Sequence, residues 1–277
     1  MRKKNYSQAP LPFMGQKRRW NNEFKAVLSE YNECTIFVDL FGGSGLLSRY
    51  AKDARPDATV IYNDYDNYSK RIEMVDNTNK LLADLRLITS NCEQGSMIKE
   101  PIRSAVLNRI YQDEISIGVD YITLSASLLF SMKYVTSYDA LCKETLYARF
   151  RKGDYQTEGY LDGLCVVSMD YKELFERWKH YPNVCFLIDP PYLSTEVGTY
   201  TNYWKLRDYL DVLHTLKHTN YVYFTSNKSN LIELCEWLEN NYTLGNPFHG
   251  ARRYEHLSQM NYNSQYTDIM LAKRREV

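Results

Sequence analysis

The chain lacks the marks of several large protein classes. No run of about 18 apolar residues occurs, so no segment suits a membrane-spanning helix. Met1-Arg2-Lys3-Lys4 leads into polar residues rather than an apolar signal segment, and a soluble, cytoplasmic protein with no membrane attachment is expected. There is no C-x-x-C pair. Cys34, Cys92, Cys142, Cys165, Cys185 and Cys235 lie scattered with no histidine at ligand spacing, which favours reduced thiols over disulfides or zinc. No cysteine follows a proline, so a covalent Pro-Cys mechanism has no candidate. His214 and His218 sit at the spacing of one helical turn, but without H-E-x-x-H or a third ligand nearby, and no metal is expected. Net charge is absent as well: 34 Lys and Arg balance 34 Asp and Glu, which weighs against a domain that is basic throughout. Internal repeats and low-complexity tracts are missing.

What is present is enough apolar material for a sizeable core. At 277 residues and 44% hydrophobic content, the chain suits one large domain or a core with a subdomain. Basic residues gather locally, at Arg2, Lys3 and Lys4, at Lys17, Arg18 and Arg19, at Arg149, Arg151 and Lys152, and at Arg252 and Arg253. The 25 tyrosines offer stacking faces among them. Solvated surface accounts for most of these charges and the core for most of these rings.

The chain is organised around Val184 to Ser194. Val184, Cys185, Phe186, Leu187 and Ile188 form a continuous apolar run, the pattern of a strand buried on both faces of a parallel sheet. It ends in Asp189-Pro190-Pro191-Tyr192, at the carboxyl end of a strand, where open α/β sheets bind ligands. Consecutive prolines fix the backbone and remove donors while their carbonyls remain acceptors. An Asp beside such a carbonyl, next to an aromatic ring, suits the exocyclic amine of adenine: two acceptors grip its hydrogens and the base stacks on Tyr192.

A nucleoside-binding unit precedes this stretch. Pro10 to Lys17 leads into a helix carrying Trp20, Phe24, Val27, Leu28 and Tyr31. Thr35 to Leu40 reads as a strand, Phe41-Gly42-Gly43-Ser44-Gly45 as a tight turn into a helix, and Ala58 to Asn63 as a second strand ending at Asp64. An acid about 20 residues beyond such glycines is placed to grip ribose hydroxyls. Gly43-x-Gly45-x-x-Ser48 approaches a dinucleotide fingerprint, which makes a nicotinamide-dependent enzyme the competing reading. Asp39 opposes it, because a carboxylate before the turn repels a pyrophosphate but can pair with an ammonium group.

From Asp66 to about Asp162 the period is helical: Tyr68, Ile72, Val75, Leu82 and Leu85 trace one face, Ile102, Val106, Leu107 and Ile110 another, and Leu124, Leu128, Leu129 and Met132 a third. This insertion ends in Tyr147 to Tyr155, where aromatics alternate with cations, as in a loop set against phosphates and bases. Sheet strands resume at Leu164 to Ser168, before Asp170-Tyr171, where Asp170 either caps the next helix or accepts from a ligand. Ser194 to Trp204 forms a polar, aromatic loop. Tyr221 to Asn227 is a further buried strand, Gly250 to Tyr254 a basic loop that is a candidate for contact with a DNA backbone, and Thr267 to Leu271 the strand that closes the sheet.

Together these motifs resemble the amino-group methyltransferases, above all the Dam-type DNA adenine methyltransferases of the alpha group, across nearly the whole chain. Asp189-Pro190-Pro191-Tyr192 resembles that family's catalytic motif, Asp39-Leu40-Phe41-Gly42-Gly43-Ser44-Gly45 its first motif, and Phe13-x-Gly15-x-Lys17 its amino-terminal cofactor motif. The resemblance implies an α/β fold, a Rossmann-like S-adenosylmethionine-dependent methyltransferase sheet with a helical target-recognition insertion. The catalytic domain would span 1–66 and 163–277, and the insertion 67–162. It further implies S-adenosylmethionine as cofactor, held by Phe13, Gly15, Lys17, Asp39, Phe41, Gly42, Gly43, Ser44, Gly45, Asp64, Asp170, Tyr171 and Asp189. Catalysis would fall to Asp189, Pro190, Pro191 and Tyr192, on adenine flipped from double-stranded DNA, with Arg149, Arg151, Lys152, Arg252 and Arg253 on the nucleic acid and a cognate restriction nuclease as a further partner. The asparagine-glycine and arginine pattern of Dam target recognition is absent, so the recognition sequence does not carry over. Methylation of adenine in RNA, and DNA binding without turnover, remain as alternatives.

Overall fold

The computed structural model describes residues 5–130, 133–191, 206–241, 245–261 and 264–275. The chain forms two compact units, one of Lys17–Asp66 with Leu161–Val277 and one of Met1–Gln16 with Asn67–Tyr160.

The first unit is built on a seven-stranded sheet. Its strands are β1 (Ile36–Asp39), β2 (Thr59–Asn63), β3 (Leu164–Val167), β4 (Val184–Ile188), β5 (Asn220–Ser226), β6 (Arg252–Asn261) and β7 (Ser264–Lys273). They lie in the order β3-β2-β1-β4-β5-β7-β6. The strands from β3 to β5 run parallel, whereas β7 is antiparallel to both β5 and β6. The order reverses between β1 and β4, which makes their carboxyl ends the switch point where a crevice opens. β6 is the difference from expectation, since Thr267 to Leu271 lies inside the sheet and β6 forms its edge. The charges of β6, Arg252, Arg253 and Glu255, are those of an edge strand that faces water.

Alternation along β4 fills both faces of the sheet, as its unbroken apolar run predicts. Cys185 and Leu187 join a core with α1 (Asn21–Ser29) and α2 (Leu46–Ala54), through Phe24, Leu28, Leu47 and Tyr50. Val184, Phe186 and Ile188 join the opposite core with α8 (Tyr171–Trp178), α9 (Leu206–Leu216) and α10 (Leu231–Asn241). The result is a helix-sheet-helix sandwich.

The second unit is helical: α3 (Tyr68–Glu73), α4 (Val75–Ile88), α5 (Ile102–Ser116), α6 (Tyr121–Leu128) and α7 (Tyr138–Cys142). Of the expected apolar stripes, Tyr68, Leu82, Leu85, Val106, Leu107, Ile110, Leu124, Leu128 and Leu129 are buried, while Ile72, Val75 and Ile102 are only half-buried. Met132 lies outside the described residues. Asp120 caps α6 by accepting from the Thr123 amide at 3.1 Å. Met1–Gln16, expected with the sheet, groups with these helices instead. The reason is a set of polar ties that sequence does not display. The Tyr68 hydroxyl bonds both the amide and the carbonyl of Leu11 at 2.9 and 3.1 Å, Arg71 donates to the Pro12 carbonyl at 2.8 Å, and the Tyr6 hydroxyl donates to the Glu158 carbonyl at 2.7 Å.

Candidate active site

The polar residues singled out in the sheet unit gather at one end of the parallel strands. Asp39 ends β1, Asp64 follows β2, Asp170 follows β3 and Asp189 follows β4. The glycine turn after β1 and Asp189-Pro190 after β4 therefore flank the switch point.

Asp39 is fully buried. Its Oδ2 accepts from the Ser48 hydroxyl at 2.7 Å, while Oδ1 is buried without a hydrogen-bond partner. Burial pushes the carboxyl up to about 7, helped by the negative charge of Asp189, while the Ser48 hydroxyl and the amides of Phe41 and Ser48 pull it down. A buried carboxylate short of a partner fits a ligand that carries an ammonium group.

The turn after Asp39 relies on glycine for two separate reasons. Gly43 and Gly45 take left-handed backbone conformations, with φ of 49° and 72°. Gly42 yields space instead: a methyl group there would lie 2.3 Å from Cε2 of Tyr62 and 2.7 Å from the Asn63 carbonyl oxygen. The room left by the absent side chain at Gly42 is thus filled by a tyrosine ring. The Tyr62 hydroxyl stands 2.8 Å from the Gly43 carbonyl and 2.9 Å from Oδ1 of Asp64, two acceptors for one proton. Asn63 completes the local frame. Its amide nitrogen donates to the carbonyls of Leu40 and Met169, each at 3.0 Å, and its Oδ1 accepts from the Met169 amide at 3.0 Å.

Around this frame, Phe41 packs on Tyr171 with ring centroids 4.9 Å apart. Asp170 caps α8, accepting from the Lys172 amide at 2.7 Å, and is exposed. Lys17, set by a single 3-10 turn anchored on buried Trp20, donates to Oδ2 of Asp189 at 2.6 Å. Burial drives the Asp189 carboxyl up, Lys17 draws it back down, and Asp268 adds to the rise. Pro190 is buried beside it and Pro191 is half-buried. Tyr192 and the loop Ser194 to Trp204 lie outside the described residues. Phe13 and Gly15 belong to the helical unit.

The cations expected on nucleic acid differ in setting. In the helical unit, Arg149 lies over exposed Phe130 at 5.3 Å, Arg151 stacks on Tyr155 at 4.1 Å, and Lys152 is exposed. In the sheet unit, Arg252 and Arg253 stand on β6 rather than in a loop, because their stretch pairs with β7 from Arg252 onward. Both are ion-paired, Arg252 with Glu30 at 2.7 Å and Arg253 with Glu255 at 2.7 Å. His214 lies on α9 whereas His218 falls beyond its end with φ of 61°, so the pair does not share a helical face. Among the described residues no group of three or more His, Cys, Asp or Glu is arranged to hold a metal, and no helix is long and apolar enough to cross a membrane.

Tyr62 and Asn63 went unmarked in the sequence as site residues. Their only signal is position: they end the strand that runs into Asp64, and Tyr62 stands opposite Asp39 in the parallel register.

No family model matches the chain. A Haemophilus influenzae protein named "Putative methyltransferase" is 36% identical to it over 284 aligned residues, which take in 98% of this chain and 94% of the relative.

Proposed function

We propose that this chain, which belongs to the methyltransferase family, transfers the methyl group of S-adenosylmethionine to the exocyclic amine of adenine in double-stranded DNA. What carries this reading is the pairing, at the carboxyl ends of adjacent strands β1 and β4, of Asp39 with its glycine turn and Asp189 with its prolines. Asp39 is suited to the ammonium group of the cofactor, its buried Oδ1 being the acceptor that wants a donor. Asp64 is suited to the ribose hydroxyls, and the packed rings of Phe41 and Tyr171 offer an aromatic wall. Bound there, the cofactor supplies a methyl group on a sulfonium, which is already a good leaving group.

The rest falls to the chain's own acceptors. Asp189 and the Pro190 carbonyl each accept a hydrogen bond from the adenine amine, which localises its lone pair and holds the nitrogen in line for attack, and once the carbon–sulfur bond has broken the methylated nitrogen sheds its extra proton to solvent. Pro190-Pro191 keeps that carbonyl fixed and adds no competing donor. Lys17 orients the Asp189 carboxylate and opposes the rise that burial imposes on it. Tyr192 is the surface on which the base stacks in this reading, and the base must leave the duplex to reach it. The helical unit is the proposed target-recognition part, with Arg149, Arg151 and Lys152 on the phosphates.

The test is transfer of labelled methyl from S-adenosylmethionine to duplex DNA and to RNA, followed by digestion to nucleosides. Label in N6-methyladenine from DNA, lost in Asp189→Asn, is the expected result. Label in RNA alone would replace the substrate, and nucleic-acid binding without label would replace the activity.

A further inference from the structure

The cofactor reading leaves one buried polar group without a task. The ring of Tyr62 explains why position 42 is glycine, and a phenylalanine ring would fill the same space. Its hydroxyl needs another explanation, since tyrosine here buries a polar group between two acceptors, Gly43 O and Asp64 Oδ1, that its single proton cannot satisfy together. The two acceptors belong to separate elements. Gly43 lies in the turn after β1, and Asp64 follows β2, with its amide bonded to the Val167 carbonyl at 2.7 Å.

We infer that Tyr62 is a positioning residue for the nucleoside half of the cofactor: its hydroxyl fixes the Asp64 carboxylate relative to the Gly43 turn, so that both meet the ribose as one preformed edge. The inference rests on the cofactor assignment above. Asn63 braces the same strand end through its bonds to Leu40 and Met169, so the backbone is held independently of the tyrosine. What the hydroxyl adds is a tether on one carboxylate oxygen, Oδ1. A carboxylate free to turn loses orientation entropy when it binds a diol, whereas one already tethered does not.

Calorimetric titration of S-adenosylhomocysteine into the wild type, Tyr62→Phe, Asp64→Asn and the double variant tests this, with the thermal midpoint of each ligand-free protein as a check on folding. Tyr62→Phe is expected to bind about tenfold more weakly with its midpoint little changed. The double variant is expected to bind no more weakly than Asp64→Asn alone, because the hydroxyl acts only through that carboxylate. Wild-type affinity in Tyr62→Phe, or losses that add in the double variant, would overturn the inference while leaving the cofactor site standing. A wild type that binds no S-adenosylhomocysteine would overturn the cofactor assignment and this inference with it.

Discussion

Lys17 Nζ lies 2.6 Å from Oδ2 of Asp189, with a tenth of the lysine side chain and about a sixth of the aspartate exposed. The pair spans 172 residues and ties the start of the sheet unit to the end of β4. Burial raises the Asp189 carboxyl and Lys17 opposes the rise. Removing the lysine therefore raises it further. An acceptor carboxylate works only above its own pKa, so in Lys17→Met the acid limb of the transfer rate is expected to move to higher pH. The same variant should lose about 3 kcal/mol of stability, because it strands a buried charge. Lys17→Met with Asp189→Asn should recover most of that in urea denaturation, since no charge is then left unpaired. An unmoved acid limb would show that Lys17 does not govern Asp189.

Asp39 gives a second pH dependence of known sign. Its carboxyl is raised in the fold to about 7 from 3.8, so over that interval the folded state holds the extra proton and stability falls as pH rises. Asp39→Asn should flatten that slope in denaturation measured across the interval. A ligand ammonium set against Asp39 acts in the opposite direction and draws the proton off. Binding of S-adenosylhomocysteine near pH 7 should therefore release part of a proton and tighten as pH rises through that value. Calorimetry in buffers of different ionisation enthalpy measures the release. Equal heats in all buffers would remove Asp39 from the ammonium site.

Which parts of the site are legible in the sequence follows from how local each one is. The run Val184 to Ile188 points to its own environment, since a short apolar run rich in β-branched and aromatic residues and stopped by prolines suits a strand covered on both faces, and Asp189-Pro190 then falls at its end. The glycine turn is equally local, because Gly43 and Gly45 are required by their own backbone angles. The Lys17 partner is not local, and no pattern near either residue reveals a contact made by the folding of the sheet. Gly42 is legible as a position without a side chain but not as to why, because the ring that excludes one comes from β2. β6 escapes for a different reason: on the edge of the sheet its charges look like those of a loop.

The close approach of Tyr62 makes Gly42 a sensitive position. Gly42→Ala sets a methyl group against both a buried ring and a backbone carbonyl, and the carbonyl cannot swing aside as a side-chain end would. Overpacking of this kind is expected to cost about 1–3 kcal/mol. Tyr62→Ala in the same chain removes the ring but leaves the Asn63 carbonyl 2.7 Å away, so it should restore only part of the loss. Urea midpoints of the two variants measure both effects, and a neutral Gly42→Ala would mean that the turn relaxes away from β2.

The two groups of arginines should separate in their response to salt. Arg252 and Arg253 are paired with Glu30 and Glu255, so a phosphate must compete with a carboxylate for each of them. These are surface pairs with both partners near half-exposed, which contribute little to the fold. Arg151 is held by its stacking on Tyr155, a contact that orients the guanidinium without neutralising it. Arg151→Ala is accordingly expected to weaken duplex binding across all sequences and to lower the salt slope of log K by about 1. Arg252→Ala should lower that slope by less, because the charge lost is already partly compensated. Fluorescence anisotropy of a labelled duplex over a salt series distinguishes them, and equal slopes for Arg151→Ala and wild type would take the Tyr147 to Tyr155 stretch out of the nucleic-acid interface.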